Sequence, residues 1–388
     1  METAEKRGIK RNLYFKNDDL DFFLQYVMSF QSYKGSSLGE CLYAAGKVNE
    51  ADPDTWFHAW KEVAEMVGQI ADQSKAKGHI ISAREAYLRA NAYYGASLVT
   101  LSPFDDQFTD IFNRYRSCFR NALSLFELPS EIIEIPFEGK SLNGYFIKGS
   151  NNNERLKTLI VLGDRFAEEC YFLAGAAGLN RGYNILLVDL PGQGITPAKG
   201  LYIRADGENP IKAVVDYLYT QSNVDTGKIA VYGLSLNGYT ATRAVIYEKR
   251  ISACIANNPL DDMTAILKAE APAKPQEVDA LRLRLFDYAA WQAGTKDMSK
   301  LFELFGSMKI TNLQGVTCPM LCIASEGGDV AERVRQTESV FRAIKSNQKD
   351  IHIFKADEGA DAHLQVNNLE RAHQVIFDWL DAVYDKYL

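Results

Sequence analysis

The stretch Lys228-Ile-Ala-Val-Tyr-Gly-Leu-Ser-Leu-Asn-Gly-Tyr-Thr-Ala-Thr-Arg-Ala-Val245 decides how this chain is read. An apolar strand, Ile229 to Tyr232, runs into Gly233 and then Ser235, and a helix opening with Gly238 and Ala241 follows. This is the pattern of a nucleophile elbow, in which a serine sits on a tight strand-to-helix turn with its hydroxyl raised above the sheet. Such a turn tolerates little side chain around the serine, and the helix N-terminus beyond it places backbone N–H groups where an oxyanion would form. The spacing departs from Gly-x-Ser-x-Gly: Asn237 occupies the last position and the glycine comes one step later. An ordinary strand–turn–helix crossover with a serine in it would read the same way, so the remaining chain must supply the serine's partners.

Outward from the elbow, short apolar runs alternate with helical stretches. The runs are Thr158–Leu162, Asn184–Asp189, Lys228–Tyr232, Ile251–Ala256, Pro319–Ala324 and Asp350–Phe354. Continuous apolar strands between helices predict a mostly parallel, doubly wound sheet covered on both faces, with ligands at the carboxyl ends of its strands. Ile132–Phe137 and Leu142–Ile147, around Glu138-Gly139, predict a hairpin ahead of it. Residues up to about 128 read as helical. Asp52-Pro53 starts one helix with Trp56, Trp60, Val63, Val67 and Ile70 on one face. Ser82-Ala-Arg-Glu85 has capping-box spacing for a second. A third, from about Pro103, carries Phe104, Phe108, Ile111, Tyr115, Phe119 and Ala122. The expected organisation is a helical cap domain over 1–128 and a core domain over 129–388. Within the core, 262–312 forms a helical lid insertion containing the helix Glu277–Ala293, and Leu369–Leu388 is an amphipathic last helix.

Bulk properties narrow the function. The 388 residues are 47% hydrophobic and 24% charged, as in a globular protein with a real core. A net charge of −7, with no basic run longer than pairs such as Lys6-Arg7 and Lys10-Arg11, argues against a nucleic-acid partner. No apolar leader opens the sequence, and no run approaches the roughly 18 apolar residues of a membrane span. The six cysteines lack disulfide or zinc rhythm. Cys318 and Cys322, four apart in a strand-like run, are read as core. The expectation is a cytoplasmic, reduced protein without membrane partner, metal or cofactor. Asp189-Leu-Pro-Gly-Gln-Gly194 is a glycine-rich turn without dinucleotide spacing.

A serine nucleophile needs a base in hydrogen-bond reach and a group to orient that base. Among five histidines, His58, His79, His352 and His373 fall in helices, at a helix boundary or in a strand. His363 follows the final strand in the loop Ala356-Asp-Glu-Gly-Ala-Asp-Ala-His363, where a base belongs. For the acid, Ser325-Glu-Gly-Gly-Asp-Val330 follows an earlier strand and offers Asp329, with Glu326 the nearest rival and Asp261 or Asp262 weaker ones. The oxyanion hole should combine the Leu236 N–H with one from Gly163-Asp-Arg-Phe166, that is, from Asp164 or Arg165. Asp164, Asn237 and Tyr94 are candidate substrate contacts. Glu168 and Glu169 suit the first turn of the following helix electrostatically, and a capping role is favoured for them.

With these residues placed, the chain resembles the α/β-hydrolases that carry an N-terminal helical cap. That group includes 2,6-dihydroxypseudooxynicotine hydrolase, the yellowish-green pigment polyketide-shortening hydrolases and the fermentation-respiration-switch esterase-like proteins. The resemblance covers nearly the whole chain. It runs through Ser82-Ala-Arg, Tyr87-Leu-Arg-Ala90 and Tyr93-Tyr94, then Gly163-Asp and Glu168-Glu169, then Arg181-Gly-Tyr and Asp189-Leu-Pro-Gly-Gln-Gly194. It continues through Gly233-Leu-Ser-Leu-Asn-Gly238, Gly359-Ala-Asp-Ala-His363, Asn367-Asn368 and Phe377-Asp-Trp-Leu380. The order Ser235, Asp329, His363 is that of α/β-hydrolases. The resemblance implies an α/β-hydrolase fold, a Ser–Asp–His triad, a small-molecule pocket between cap and core, a homodimer, and an acidic contribution from Asp164. It also suggests cleavage of a carbon–carbon bond next to a ketone, or of an ester, in an aromatic or polyketide-like substrate. Acyl transfer or cyclisation on the same triad, or a non-catalytic regulatory role, are the alternatives. Asn237 and Leu364, where relatives often have glycine and cysteine, are departures.

Overall fold

The computed structural model describes residues 12–270 and 279–384. The basic pairs at Lys6-Arg7 and Lys10-Arg11, the start of the expected helix at Glu277, and Tyr387 lie outside the described residues.

Five helices lead the chain: α1 (Asp18–Ser29), α2 (Leu38–Ala45), α3 (Pro53–Ala76), α4 (Ile80–Ser97) and α5 (Phe108–Leu123). Asp52 caps α3 by accepting from the Asp54 N–H, and Pro53 supplies the preset φ of the first turn. Trp56, Trp60, Val63 and Val67 are buried at helical spacing, whereas Ile70 lies off that stripe and is 44% exposed. Trp56 Nε1 donates to the Ala96 carbonyl and ties α3 to α4. Two sequence expectations are corrected here. Ser82 does not open α4: Gly78, at φ +76°, reverses the chain, and the helix restarts at once at Ile80 with Ser82 exposed inside its first turn. The third helix begins at Phe108, and Phe104 lies before it, exposed beneath the Lys296 ammonium.

The strands are β1 (Ser130–Phe137), β2 (Lys140–Ile147), β3 (Leu156–Leu162), β4 (Asn184–Val188), β5 (Val224–Leu234), β6 (Ala253–Asn257), β7 (Met320–Ser325) and β8 (Lys349–Phe354). They form one sheet in the order β1-β2-β4-β3-β5-β6-β7-β8, antiparallel at the first two pairings and parallel thereafter. The remaining helices are α6 (Ala176–Leu179), α7 (Glu208–Tyr219), α8 (Asn237–Tyr247), α9 (Met263–Glu270), α10 (Ala280–Ala293), α11 (Met298–Ser307), α12 (Ala331–Ala343) and α13 (Leu369–Tyr384).

Alternation along the strands sorts the core into two layers. Leu159, Val161, Ile185, Leu187, Ala230 and Tyr232 face one layer; Ile160, Leu162, Leu186, Val188, Ile229 and Val231 face the other. The second layer is closed by α7, α8 and α12. The first is closed by α13 and by the N-terminal helices, whose own core of Trp56, Trp60, Tyr93 and Phe112 runs on into it without a break. Each large side chain so buried contributes about 1.5–3 kcal/mol.

One buried polar link joins the ends of the chain. Tyr33, just after α1, donates its hydroxyl to His373 Nδ1 at 2.6 Å, and His373 Nε2 donates to the Leu173 carbonyl at 2.6 Å. The acceptor role of Nδ1 requires a neutral ring. Burial pulls the His373 imidazole down to about 4, with Arg181 adding to the pull. Unfolded, the ring titrates near 6.5, so below that pH the unfolded chain binds a proton that the folded chain refuses. Stability from this residue is therefore full above pH ~6.5 and is lost as pH falls toward 4. The unfolding free energy of the wild type relative to His373→Gln should drop by about 2–3 kcal/mol between pH 7.5 and pH 4.5. Denaturant titrations of both proteins at the two pH values check this; a difference that stays flat refutes it.

Candidate active site

The elbow predicted around Ser235 is present and strained in the expected sense. Ser235 lies at φ +51°, a left-handed conformation that costs a non-glycine residue of order 1 kcal/mol and is held by its surroundings. Glycine is required on both sides. A Cβ on Gly233 would lie 2.0 Å from the Asn237 carbonyl oxygen, and one on Gly238 would lie 1.6 Å from the Asn258 carbonyl oxygen. The crossing that usually calls for glycine two residues after the serine here falls at Gly238, which leaves Asn237 room for a side chain.

Ser235 Oγ lies 3.3 Å from His363 Nε2, and His363 Nδ1 lies 2.5 Å from Asp329 Oδ1. All three side chains are buried. The other Asp329 oxygen accepts from Asn258 Nδ2 at 2.6 Å and from the Ser325 N–H at 2.7 Å. Burial pushes the Asp329 carboxyl up, but His363, Arg333 and the Ser325 N–H together outweigh it, and the net shift is down. It is thus held as a carboxylate facing the imidazole. Asn258 is fixed in turn by Arg333, which pairs with Glu270. The rival acids are placed elsewhere: Glu326 is exposed, and Asp262 pairs with Lys309 and caps α9. Asp261 is half-buried, and its N–H donates to Gln336.

The Gly163–Phe166 loop is pinned from three directions. Asn237 Nδ2 and Gln193 Nε2 both donate to the Gly163 carbonyl, at 2.6 and 2.5 Å. Gly194 N–H donates to the Arg165 carbonyl, and Asp189 accepts from the Ala167 N–H. From above, α10 adds Gln292 Nε2 to the Asp164 carbonyl at 2.9 Å. The glycine-rich turn Asp189–Gly194 is therefore a brace for this loop. Gly194, at φ +53°, leaves the space that the Asp189 carboxylate occupies.

Two cavities flank the loop. One is walled by Asp164, Gln193, Leu236, Asn237 and Gln292. The other lies between the N-terminal helices and the sheet, with Tyr26, Asn91, Tyr115, Arg165 and Glu169 among its walls. Tyr94 is not brought to either: its hydroxyl faces Arg114, Cys118 and Glu65 within the helical layer. The favoured capping role of the two glutamates is also corrected. Glu168 is fully buried, accepts from the Tyr145 hydroxyl at 2.5 Å and faces Arg116 at 3.4 Å. Glu169 accepts from the Tyr26 hydroxyl at 3.1 Å. Burial pushes the Glu169 carboxyl up to about 7 despite the opposing pull of Arg165 and Tyr26. A contact missed from sequence is Phe22 of α1, whose ring centre lies 6.0 Å from that of His363. Among the described residues no group of three or more potential ligands could hold a metal ion, and no helix is long and apolar enough to cross a membrane.

No protein-family model matches the chain. A hydrolase of Pyricularia oryzae, ORFZ, is 32% identical over 417 aligned positions, covering 95% of this chain and 97% of that protein. The chain belongs to the α/β-hydrolases. The 20-hydroxy-prefusarin hydrolase of Gibberella moniliformis is 26% identical to this α/β-hydrolase, over 95% of this chain and 97% of that one. The crystal structure of 2,6-dihydroxy-pseudo-oxynicotine hydrolase has the same fold, with a TM-score of 0.76 over 92% of this chain and 95% of that one, at 20% identity. The chain is accordingly an enzyme of the hydrolase type with a mostly parallel sheet and flanking helices.

The close approach at Gly238 yields a direct test. Gly238→Ala should destabilise the protein by about 3 kcal/mol, through overpacking against backbone that cannot withdraw. Gly39→Ala, in α2 with nothing near its Cβ position, should be neutral or slightly stabilising. Thermal unfolding of both variants decides it, and equal melting temperatures would refute the packing argument.

Proposed function

We propose that this enzyme is a serine hydrolase in which Ser235, His363 and Asp329 act as the catalytic triad. In this reading it cleaves a carbon–carbon bond next to a ketone, or an ester, in a medium-sized aromatic or polyketide-like substrate. The observation that carries the reading is the buried chain of hydrogen bonds from a serine in left-handed conformation through His363 to a carboxylate. Ser235 Oγ attacks the carbonyl carbon while His363 Nε2 takes its proton. Asp329 holds Nδ1–H and stabilises the imidazolium. The Leu236 N–H and an N–H of the Asp164–Arg165 loop receive the oxyanion. When the tetrahedral adduct collapses, His363 returns the proton to the departing carbon or oxygen, and water then releases the acyl group from Ser235 by the reverse sequence. Asn237 acts by holding the oxyanion loop against the elbow.

Residues 1–128 serve as a cap and the 262–312 segment as a lid over the site. Support for the lid comes from α10, which reaches both the Asp164 carbonyl and, through Arg282, Asp19 of α1. The substrate class is supported by the likeness to the 20-hydroxy-prefusarin hydrolase over nearly its whole length.

A fluorophosphonate probe should label the wild type and leave Ser235→Ala unlabelled. Asp329→Asn should lower kcat on an activated aryl ester by about 10³–10⁴, whereas Glu326→Gln should stay within about twofold. Labelling of Ser235→Ala, or equal effects of the two amides, would overturn the assignment. Product analysis with an aryl 1,3-diketone and the corresponding ester distinguishes the two bond types.

A further inference from the structure

A third cavity lies at the C-terminal end of α10, and none of Ser235, His363 and Asp329 is among its walls. Three stretches distant in sequence meet there. Phe104 comes from the segment before α5, and Pro197 and Tyr202 from the turn after β4. Trp291, Gly294 and Lys296 come from the end of α10 and the link beyond it. The volume is about 240 Å³, far larger than that of either cavity beside the Gly163–Phe166 loop. It approaches the ~300–1,000 Å³ of sites that take drug-sized ligands, and so suits one or two fused rings.

The walls are aromatic and held in place. Phe104 and Tyr202 are 47% and 44% exposed, so two large rings border the opening. Tyr202 is backed by α10: Gly294, at φ +69°, ends that helix, and a Cβ on it would lie 2.7 Å from the Tyr202 ring. Trp291 is braced from within by Phe108 and Tyr288, with ring centres 5.3 and 5.7 Å away. Lys296 supplies the charge. Its ammonium lies 3.7 Å from the Phe104 ring centre, which keeps it at this wall, and it forms no ion pair among the described residues. No carboxylate is among the walls, and the neighbouring Asp297 is engaged in capping α11 through the Ser299 N–H. One ring face gives an exposed cation little, so the ammonium still has much to gain from an anion.

We propose that this cavity is a second binding site, separate from the reacting centre, for a planar aromatic anion such as a one- or two-ring arenecarboxylate. Its ring packs against Tyr202 and Trp291, and its carboxylate pairs with Lys296. Rings in the wall favour a flat aromatic ligand, because stacked and edge-to-face contacts add to the burial of area. A single ammonium without a competing carboxylate selects the negative charge. An aliphatic acid would meet the charge and lose the ring contacts; a neutral arene would do the reverse. The site asks nothing of Ser235, so it stands apart from the triad reading.

Calorimetry on the full-length protein with 2-naphthoate, 2-naphthamide and decalin-2-carboxylate tests this. Naphthoate should bind about fivefold tighter than the neutral amide, the upper range for an exposed ion pair. It should bind about tenfold tighter than the saturated acid, which lacks the ring contacts. Lys296→Gln should bring naphthoate down to the level of naphthamide and leave naphthamide unchanged, whereas Lys296→Arg should keep most of the difference. Tyr202→Ala should weaken both aromatic ligands about tenfold. Lys296 is exposed, so its variants should keep the melting temperature and carry the test even if Tyr202→Ala lowers it. No binding of any of the three overturns the proposal, as does equal affinity of naphthoate and either comparison ligand. Naphthoate binding that Lys296→Gln leaves intact also overturns it. So does competitive inhibition of aryl-ester turnover with a constant equal to the Kd, since the ligand would then sit at Ser235.

Discussion

The Gly163 carbonyl is the joint on which the site is built. It lies just beyond the end of β3 and accepts from Asn237 at the start of the helix after β5 and from Gln193 in the turn after β4. Three neighbouring strand ends are thereby fixed to one oxygen atom in a buried setting. Parallel strands bring their carboxyl ends to one edge, but they do not by themselves set the relative heights of the loops that follow. Two side-chain amides on one carbonyl do. The usual glycine two residues after the serine could not contribute one of them, so the side chain at Asn237 adds a hydrogen bond that the commoner elbow lacks.

A similar economy governs the acidic side of the site. Asp329 is buried, which on its own would favour the neutral acid. Three donors, His363, Asn258 and the Ser325 N–H, together with the field of Arg333, keep it ionised. Two of those groups are themselves held: Asn258 by Arg333, and Arg333 by Glu270 of α9. The charge is thus balanced by a network that extends from the sheet to the segment between β6 and β7.

Much of this was legible from the sequence, for identifiable reasons. Strands buried on both faces read as continuous apolar runs, and each of the six runs became a parallel strand with ends shifted by a few residues. Ser235, His363 and Asp329 could be placed because chemistry restricts them to strand ends. The helical layer was less legible in detail. Its apolar residues are shared with the sheet, so α1 and α2 lack a one-sided stripe separate from the rest of the core, and Phe22 gave no local signal. The favoured capping role for Glu168 and Glu169 failed because a helix-start acid is indistinguishable in sequence from one turned inward to meet Arg116, Arg165 and two tyrosines on distant elements. Tyr94 was singled out from a run of aromatics, but which side of α4 meets the cavity depends on where α3 and α5 pack.

The meeting of α1 with the end of the chain bears on how the enzyme comes into being. Phe22 packs against His363, and Tyr33 bonds His373 across a sequence separation of 340 residues. These are among the most non-local contacts a chain of this length can make, and contacts of that kind form late because the intervening loop must first close. On the ribosome the elbow and its serine emerge well before the histidine that would engage them. Growing chains therefore carry an unpaired Ser235 hydroxyl, and the proposed triad comes together only when the first helix and the last stretch close over the sheet.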